Sequence, residues 1–442
     1  MELPPTEALC MTAAKQRRNG MTVDETLDVA IVGAGFSGVA TAAALKRYGV
    51  RDIRLLETGS NYGSFWTHTY DRLSLHSPWH GLPDDDGLVD RYPVFKTRLE
   101  VIDYLERYAA NHDLLSQTAF EEHVDAVMQV DAGLSHPWQL DTAKRRYRAR
   151  QVVVATGYCR RPIIPSLPGQ TDYRGRVLHS ASYRNGQPFR NQRVLIVGSG
   201  NSAFEIALDL VEAEAASVTL LVHGPRWVIP MDAYESAMKE ARAKGEFSAA
   251  AITAAHPAPR GSNDFSNWVA GFDDLLRRLA IDVVDIGLAQ PRLGPWREAL
   301  ENGRVSVFDH GTVPLIRQGA IKILNDKLVG MHGDEVNFAK HAPAHFDAVV
   351  LATGFGPGIN EFIRDTCLFG DVARVGSFPV TDGRCKARSA SGLYFVGYDL
   401  SPWGGMAHGH WGYEVGERIA TELGTFHPRL RPRDFSKAPW IQ

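Results

Sequence analysis

Gly33-Ala34-Gly35-Phe36-Ser37-Gly38 and Gly198-Ser199-Gly200-Asn201-Ser202-Ala203 each follow an apolar run and each open a helical pattern. In that setting the first glycine permits a tight turn, and the second lets backbone N–H groups approach a pyrophosphate. The third small residue lets the helix lie close to the strand, with the helix N-terminus facing the anion. Two such turns predict two bound dinucleotides. Their surroundings differ in sign. Glu57 ends the strand after the first turn, where a carboxylate accepts ribose hydroxyls and repels a 2′-phosphate, so FAD or NAD is expected. The strand after the second turn ends near His223 and Arg226 with no carboxylate. A guanidinium there forks onto a 2′-phosphate and selects NADPH, unless Arg226 only salts the surface.

The elements holding these turns are readable. Leu27–Val32, a helix from Phe36 to about Tyr48 and Ile53–Leu56 form one strand–helix–strand unit; Arg193–Val197, a helix from Ser202 to about Glu214 and Ser217–Val222 form the other. Val152–Gly157 and Val349–Gly354 are apolar strands that both close on Ala-Thr-Gly, and they bracket the second unit. The expected fold is α/β, with two Rossmann-like dinucleotide-binding domains. An NADPH domain at 166–340 is inserted into a discontinuous FAD domain at 27–165 and 341–442, after a disordered lead-in over 1–26. Met21 is an alternative start. The segment 231–300 reads as a lid over a substrate pocket or as surface elaboration. Near the C-terminus, Gly404-Gly405 and a helix from about Gly412 to Leu423 bring a third helix N-terminus to the first cofactor, with Gly405 at the contact.

Composition narrows the function classes. A chain of 442 residues exceeds one compact core, and 44% hydrophobic with 22% charged residues is ordinary globular usage. Net charge −3 leaves no basic footprint for nucleic acid, and no apolar run reaches membrane-spanning length. The four cysteines are far apart with no CxxC, against a disulfide framework, a zinc site or a dithiol redox centre. A cytoplasmic protein is expected, with a homodimer as the default assembly. No metal is expected, because His68/His76/His80 and His408/His410 lack carboxylate or thiolate partners at ligand spacing.

Between the two turns, Tyr173-Arg174-Gly175-Arg176-Val177-Leu178-His179-Ser180-Ala181-Ser182-Tyr183 resembles the FxGxxxHxxx(Y/F) fingerprint of class B flavin-containing monooxygenases, with Tyr173 for the leading Phe. Arg161–Gly169 is similar to that family's approach to the fingerprint. Thr69–His76, Pro291–Pro295, Ile316–Lys322 and Ala352–Phe355 look closest to the YUCCA-like branch, whose plant members convert indole-3-pyruvate to indole-3-acetate. The resemblance runs from about Asp28 to Leu423. Trp79 replaces a common Lys, and Ser401–Met406 is unlike the plant enzymes; both departures bear on the substrate more than on the cofactor chemistry.

The resemblance implies FAD and NADPH, with O2 captured as a C4a-(hydro)peroxyflavin that oxygenates a small organic substrate. N- or S-oxygenation, or oxidative decarboxylation of a 2-oxo acid such as indole-3-pyruvate, would follow. It implies FAD contacts from Gly33, Gly35, Phe36, Ser37, Gly38, Glu57, Trp66, Leu75, His76, Val124, Thr156 and Gly157. It implies NADPH contacts from Gly198, Gly200, Asn201, Ser202 and Arg226 and further cofactor contacts from Tyr183 and Ser199, with Thr353, Gly354 and Phe355 beside the nicotinamide or flavin. His76 is the candidate catalytic residue, tuning the oxygenated flavin, or else a structural loop histidine. His179 reads as a hinge or NADP-positioning residue. Arg72 or Arg91 would meet a carboxylate substrate, whereas an amine or sulfide needs only apolar walls. The competing classes are an NAD(P)H:acceptor flavin reductase without oxygen transfer and a non-catalytic flavin/NADPH sensor.

Overall fold

An apolar run buried on both faces belongs at the centre of a parallel sheet, and β1 (Glu25–Val32) takes that place in the computed structural model. The structure describes residues 25–78, 81–244, 263–363, 379, 381–398 and 407–432. β1 pairs in parallel with β2 (Ile53–Leu56) and β6 (Arg146–Val154). β3 (Thr118–Ala119) extends the β2 edge, and β4 (Val124–Gln129) and β5 (Trp138–Thr142) extend the sheet antiparallel beyond β6. α1 (Phe36–Arg47) follows β1, α2 (Ser64–Thr67) follows β2, and α3 (Arg98–Asn111) starts at a capping box between Thr97 and Glu100.

A second, wholly parallel sheet runs β13-β10-β9-β17-β8. It comprises β8 (Arg176–His179), β9 (Arg193–Val197), β10 (Ser217–Val222), β13 (Ile321–Asn325) and β17 (Ala348–Leu351). α4 (Asn201–Glu212) joins β9 to β10, and α8 (Thr312–Arg317) precedes β13. Two smaller sheets attach to this half: β11 (Val228–Pro230) with β12 (Val307–Asp309), and β14 (Leu328–His332), β15 (Glu335–Phe338) and β16 (Ala344–His345).

The expected return to the first sheet at 341 is too early. β17 lies between β9 and β8, and the chain rejoins the first sheet only at β19 (Leu393–Phe395), beside β6. All four residues of β17 are buried, and such a run fits the centre of either sheet when read as sequence alone. The outgoing and returning passes pair with each other, β7 (Arg161–Pro162) antiparallel to β18 (Phe355–Gly356).

α5 (Met231–Ala243), α6 (Asn263–Leu279) and α7 (Pro295–Asn302) fill the described part of 231–300. Ile229, Met231, Tyr234, Met238, Leu276 and Phe308 bury with Val94 and Phe95 of the first half, so this segment packs across the two halves. α9 (Ala407–Glu422) starts five residues before the sequence expectation. Its glycines resemble a turn, yet they allow close helix contact: a Cβ on Gly412 would lie 3.0 Å from the Ser37 carbonyl, and one on Gly416 2.5 Å from the Ala44 Cβ of α1. Residues 1–24, Trp79, His80 and Gly405 lie outside the described residues, as does 245–262 of the expected lid. Among the described residues no helix is long and apolar enough to cross a membrane.

Asp347 fastens β17 to β9. Its carboxylate accepts from the Arg193 backbone N–H at 2.7 Å and from the guanidinium at 2.9 and 3.1 Å. These bonds, the Arg193 side chain first, lower its pKa from 3.8 to about 2. The folded carboxyl therefore holds its proton less tightly than the unfolded one. Its contribution is complete above pH 3.8 and is lost as pH falls through about 2. Thermal melts over that range should show Asp347→Asn losing less stability on acidification than the parent; parallel curves would count against this tie.

Candidate active site

The small residues of each glycine-rich turn are there for different reasons. Gly33 has φ +103°, and a Cβ there would lie 2.7 Å from the Ala155 carbonyl oxygen. A Cβ on Gly38 would overlap the Gly33 carbonyl oxygen. Gly35 differs, since nothing lies within 4 Å of where its Cβ would point. It is the N-cap of α1 with no side-chain capping bond. Open space in front of a helix N-terminus is a cradle for a pyrophosphate, so these residues fit a dinucleotide. Glu57 is buried at the rim, accepting from Ala34 N–H at 2.8 Å, Gly59 N–H at 2.8 Å and the Ser64 hydroxyl at 2.7 Å.

The second turn repeats the plan. Gly198 has φ +146°, and a Cβ there would overlap the Ala352 carbonyl oxygen; Gly200 faces open space and is the N-cap of α4. The two Ala-Thr-Gly strands therefore play the same part, Ala155 against Gly33 and Ala352 against Gly198. Buried Ala203 takes the third small position. Arg226 folds onto this turn, its Nε donating to the Ser199 carbonyl at 3.0 Å. Burial and the neighbouring Arg304 lower its pKa, while Glu298 opposes them. Arg304 gives no signal in sequence because it lies far along the chain. Asn201 is committed to structure: its amide donates to Ser306 O at 3.1 Å and accepts from Phe308 N–H at 2.7 Å.

The fingerprint residues knit the second half. The Tyr173 hydroxyl donates to Phe346 O at 2.7 Å, and its ring occupies the space a Gly175 side chain would need. Tyr183 is buried in the second core, which also holds Ala203 of the second turn, with its hydroxyl donating to Asp209 at 2.6 Å. His179 accepts from Ala181 N–H at Nδ1, and its Nε2 lies 3.1 Å from Gly354 O. The neutral ring therefore donates from Nε2, and burial lowers its pKa. Both nitrogens serve backbone beside the returning pass, with Phe355 packed edge-on at 4.9 Å. That arrangement suits positioning better than base catalysis.

Other sequence-derived residues fall in several places. Phe36, Ser37 and Leu75 are buried in the first half, Val124 is buried on β4, and Trp66 packs against the first core. Thr156 shares a 2.5 Å hydrogen bond with the Tyr398 hydroxyl, and Thr353 donates to Ile163 O at 2.5 Å. Gly157 and Gly354 both have positive φ with open space ahead. Ser199 is buried at the second turn, and Ser202 lies in the first turn of α4. Arg72 is engaged with Glu212 at 2.8 Å and Asp209 at 3.8 Å, and Arg91 is exposed at the surface.

His76 lies between the halves. The Leu75 N–H donates to Lys96 O at 2.8 Å, which fixes the segment that presents the imidazole. His76 Nε2 lies 2.9 Å from the Oε1 of Glu205, a buried residue of α4, and the ring stacks on Phe308 at 5.2 Å. An aromatic series continues from Phe308 to Tyr234 at 4.7 Å and Phe95 at 5.4 Å. Burial first, then Glu205, pushes the Tyr70 pKa well up. His310 stands 5.8 Å from His76, ring to ring. Glu205 and His310 escape sequence reading: one is a helix-interior acid and the other follows a strand, and only tertiary folding brings them to His76.

The family described as pyridine nucleotide-disulphide oxidoreductase matches residues 30–247. The probable indole-3-pyruvate monooxygenase YUCCA3 of Arabidopsis thaliana is 32% identical over 379 residues, covering 83% of this chain and 81% of that protein. The indole-3-pyruvate monooxygenase YUCCA6 of Arabidopsis thaliana is 31% identical, covering 83% and 84%. Among solved structures, a flavin-containing monooxygenase from Stenotrophomonas maltophilia superposes with TM-score 0.63 at 18% identity, over 90% of this chain and 99% of that one. A closed cyclohexanone monooxygenase gives TM-score 0.67 at 17% identity, over 91% and 85%. The fold is thus that of the flavin monooxygenases, with a dinucleotide turn in each half. The chain belongs to the YUCCA-like branch of the class B flavin-containing monooxygenases.

Proposed function

We propose that the protein is an NADPH- and O2-dependent flavin monooxygenase, with FAD at the first turn and NADPH at the second. The observation that carries this reading is the contrast between two similar cradles: Glu57 buried at the rim of one, Arg226 folded onto the other. FAD reduced by NADPH would supply O2 activation and the transferred oxygen atom. The protein's part is to bind, orient and exclude water. Gly35 and Gly200 leave room for the two pyrophosphates, and Glu57 suits an unphosphorylated ribose. The apolar cluster of Val94, Phe95, Tyr234, Met238 and Phe308 keeps water from the space beside His76. An imidazole that donates from Nε2 to Glu205 keeps Nδ1 as its acceptor side. His76 is the residue assigned to handle a proton there.

The substrate is a small organic molecule. The aromatic series next to His76 favours an aromatic one, and the names of the relatives make indole-3-pyruvate the first to test. Neither Arg72, already paired, nor exposed Arg91 is a convincing carboxylate anchor, so a thioether and a tertiary amine belong in the same assay. A cytoplasmic homodimer remains the accompanying expectation, to be checked by light scattering and cell fractionation.

NADPH-reduced protein mixed rapidly with O2 should show an absorbing transient before oxidised flavin returns. With a true substrate, oxygenated product should form in step with NADPH consumed. Immediate return of oxidised flavin, with all NADPH recovered as hydrogen peroxide for every substrate, would instead indicate a reductase without oxygen transfer. Failure of NADPH to bleach the flavin would favour a sensor.

A further inference from the structure

We propose that His76, Glu205 and His310 form a binding site for a divalent transition-metal ion of the zinc type, bridging the two halves of the molecule. One ligand atom from each lies within 4.8 Å of the others. Two imidazoles and a carboxylate form a common protein set for zinc, with bonds of about 2.0–2.2 Å and an open position for water. Ligand atoms around such an ion stand about 3.3 Å apart. The 2.9 Å contact between His76 and Glu205 must therefore open slightly while His310 closes in, which side-chain torsions can accomplish.

Two further observations point to a missing cation. His310 Nε2 is buried and has no hydrogen-bond partner among the described residues. Glu205 is 3% exposed, and its only ion-pair partner among the described residues is His76; no lysine or arginine reaches it. A divalent ion held there would sit against a buried acid whose other near neighbour is the Tyr70 hydroxyl. On binding, His76 Nε2 would exchange its proton for the metal, and the ring proton would relocate to Nδ1 through solvent.

The placement has a consequence. His76 belongs to the first half, whereas Glu205 on α4 and His310 after β12 belong to the second. A bound ion would clamp the halves and withdraw His76 from the role given to it above. That inhibitory effect rests on the proposed function; the binding does not.

Zinc chloride titrated into the FAD-loaded protein in a calorimeter should saturate at one tight ion per chain. His310→Val and Glu205→Gln should each weaken that event by at least about tenfold. His310→Gln, which keeps a polar side chain of similar length, should do the same if it melts like the parent. X-ray absorption at the zinc edge should report two imidazoles and a carboxylate. No binding heat, or tight binding that survives all three substitutions, would overturn the site. The second result would place the ion elsewhere, for instance on exposed His345 beside Asp334 and Glu335. Zinc should also slow NADPH turnover in the parent and not in His310→Val. Binding that vanishes in the variants while turnover ignores zinc would keep the site and refute the role of His76.

Discussion

Gly35→Ala should give a folded, colourless protein. Gly35 has φ −84° and ψ −167°, open to any residue, and its Cβ would meet nothing within 4 Å. Alanine is a poorer N-cap than glycine, so the folded state should lose no more than about 1 kcal/mol. The new methyl group would instead stand where the first pyrophosphate must lie. Flavin retention should fall by at least about tenfold, equivalent to about 1.4 kcal/mol. Gly38→Ala should behave in the opposite way. Its Cβ would overlap the Gly33 carbonyl oxygen, and Gly33 itself is held against Ala155. Neither backbone can retreat, so overpacking of about 3 kcal/mol should lower the melting temperature by several degrees even without cofactor. Flavin absorbance per chain and apo-protein melts separate the two effects. A yellow Gly35→Ala protein would mean that the first cradle holds no dinucleotide.

Arg226→Ala should raise the NADPH KM by about 10- to 100-fold, the range expected for losing hydrogen bonds to a charged group worth about 1.5–3 kcal/mol. NADH use should hardly change, because it carries no 2′-phosphate. The existing bond from Arg226 to Ser199 supplies the alternative: a guanidinium that merely supports the turn. In that case both nucleotides would suffer equally, and steady-state kinetics with each would reveal it. Arg304, close enough to lower the Arg226 pKa, should show a smaller discrimination when replaced by alanine.

The parts of this molecule governed by local backbone geometry were legible in its sequence. Gly33 and Gly38 are forced by contacts within or beside one strand–turn–helix unit, and the same logic carries over to Gly198, whose Cβ would overlap the Ala352 carbonyl oxygen. Glu57 was legible because it ends the next strand, and the paired Ala-Thr-Gly strands because each lies against one of these turns. Tertiary choices were not legible. β17 reads as a buried strand without saying which sheet takes it, so a boundary at 341 falls ahead of the true return at β19. Tyr183 carries a recognisable fingerprint position yet spends its hydroxyl on Asp209 inside the second core. Glu205 looks like an ordinary helix acid until α4 is seen to turn it inward towards His76, 129 residues away. Arg72 looked available as a cation, but folding brings Glu212 and Asp209 to it.

The pairing of Arg161–Pro162 with Phe355–Gly356 means that the inner unit enters and leaves through one doorway. Cut out at that point, it would leave two loose ends separated by one strand spacing, about 4.8 Å, a gap that a very short splice closes. The inner unit thus has the adjoining termini of an inserted module, while Val94 and Phe95 of the outer unit still share a core with it. Two tethers side by side also leave the module no slack with which to drift away, and the buried seam of Phe95, Tyr234 and Phe308 seats it against the outer unit.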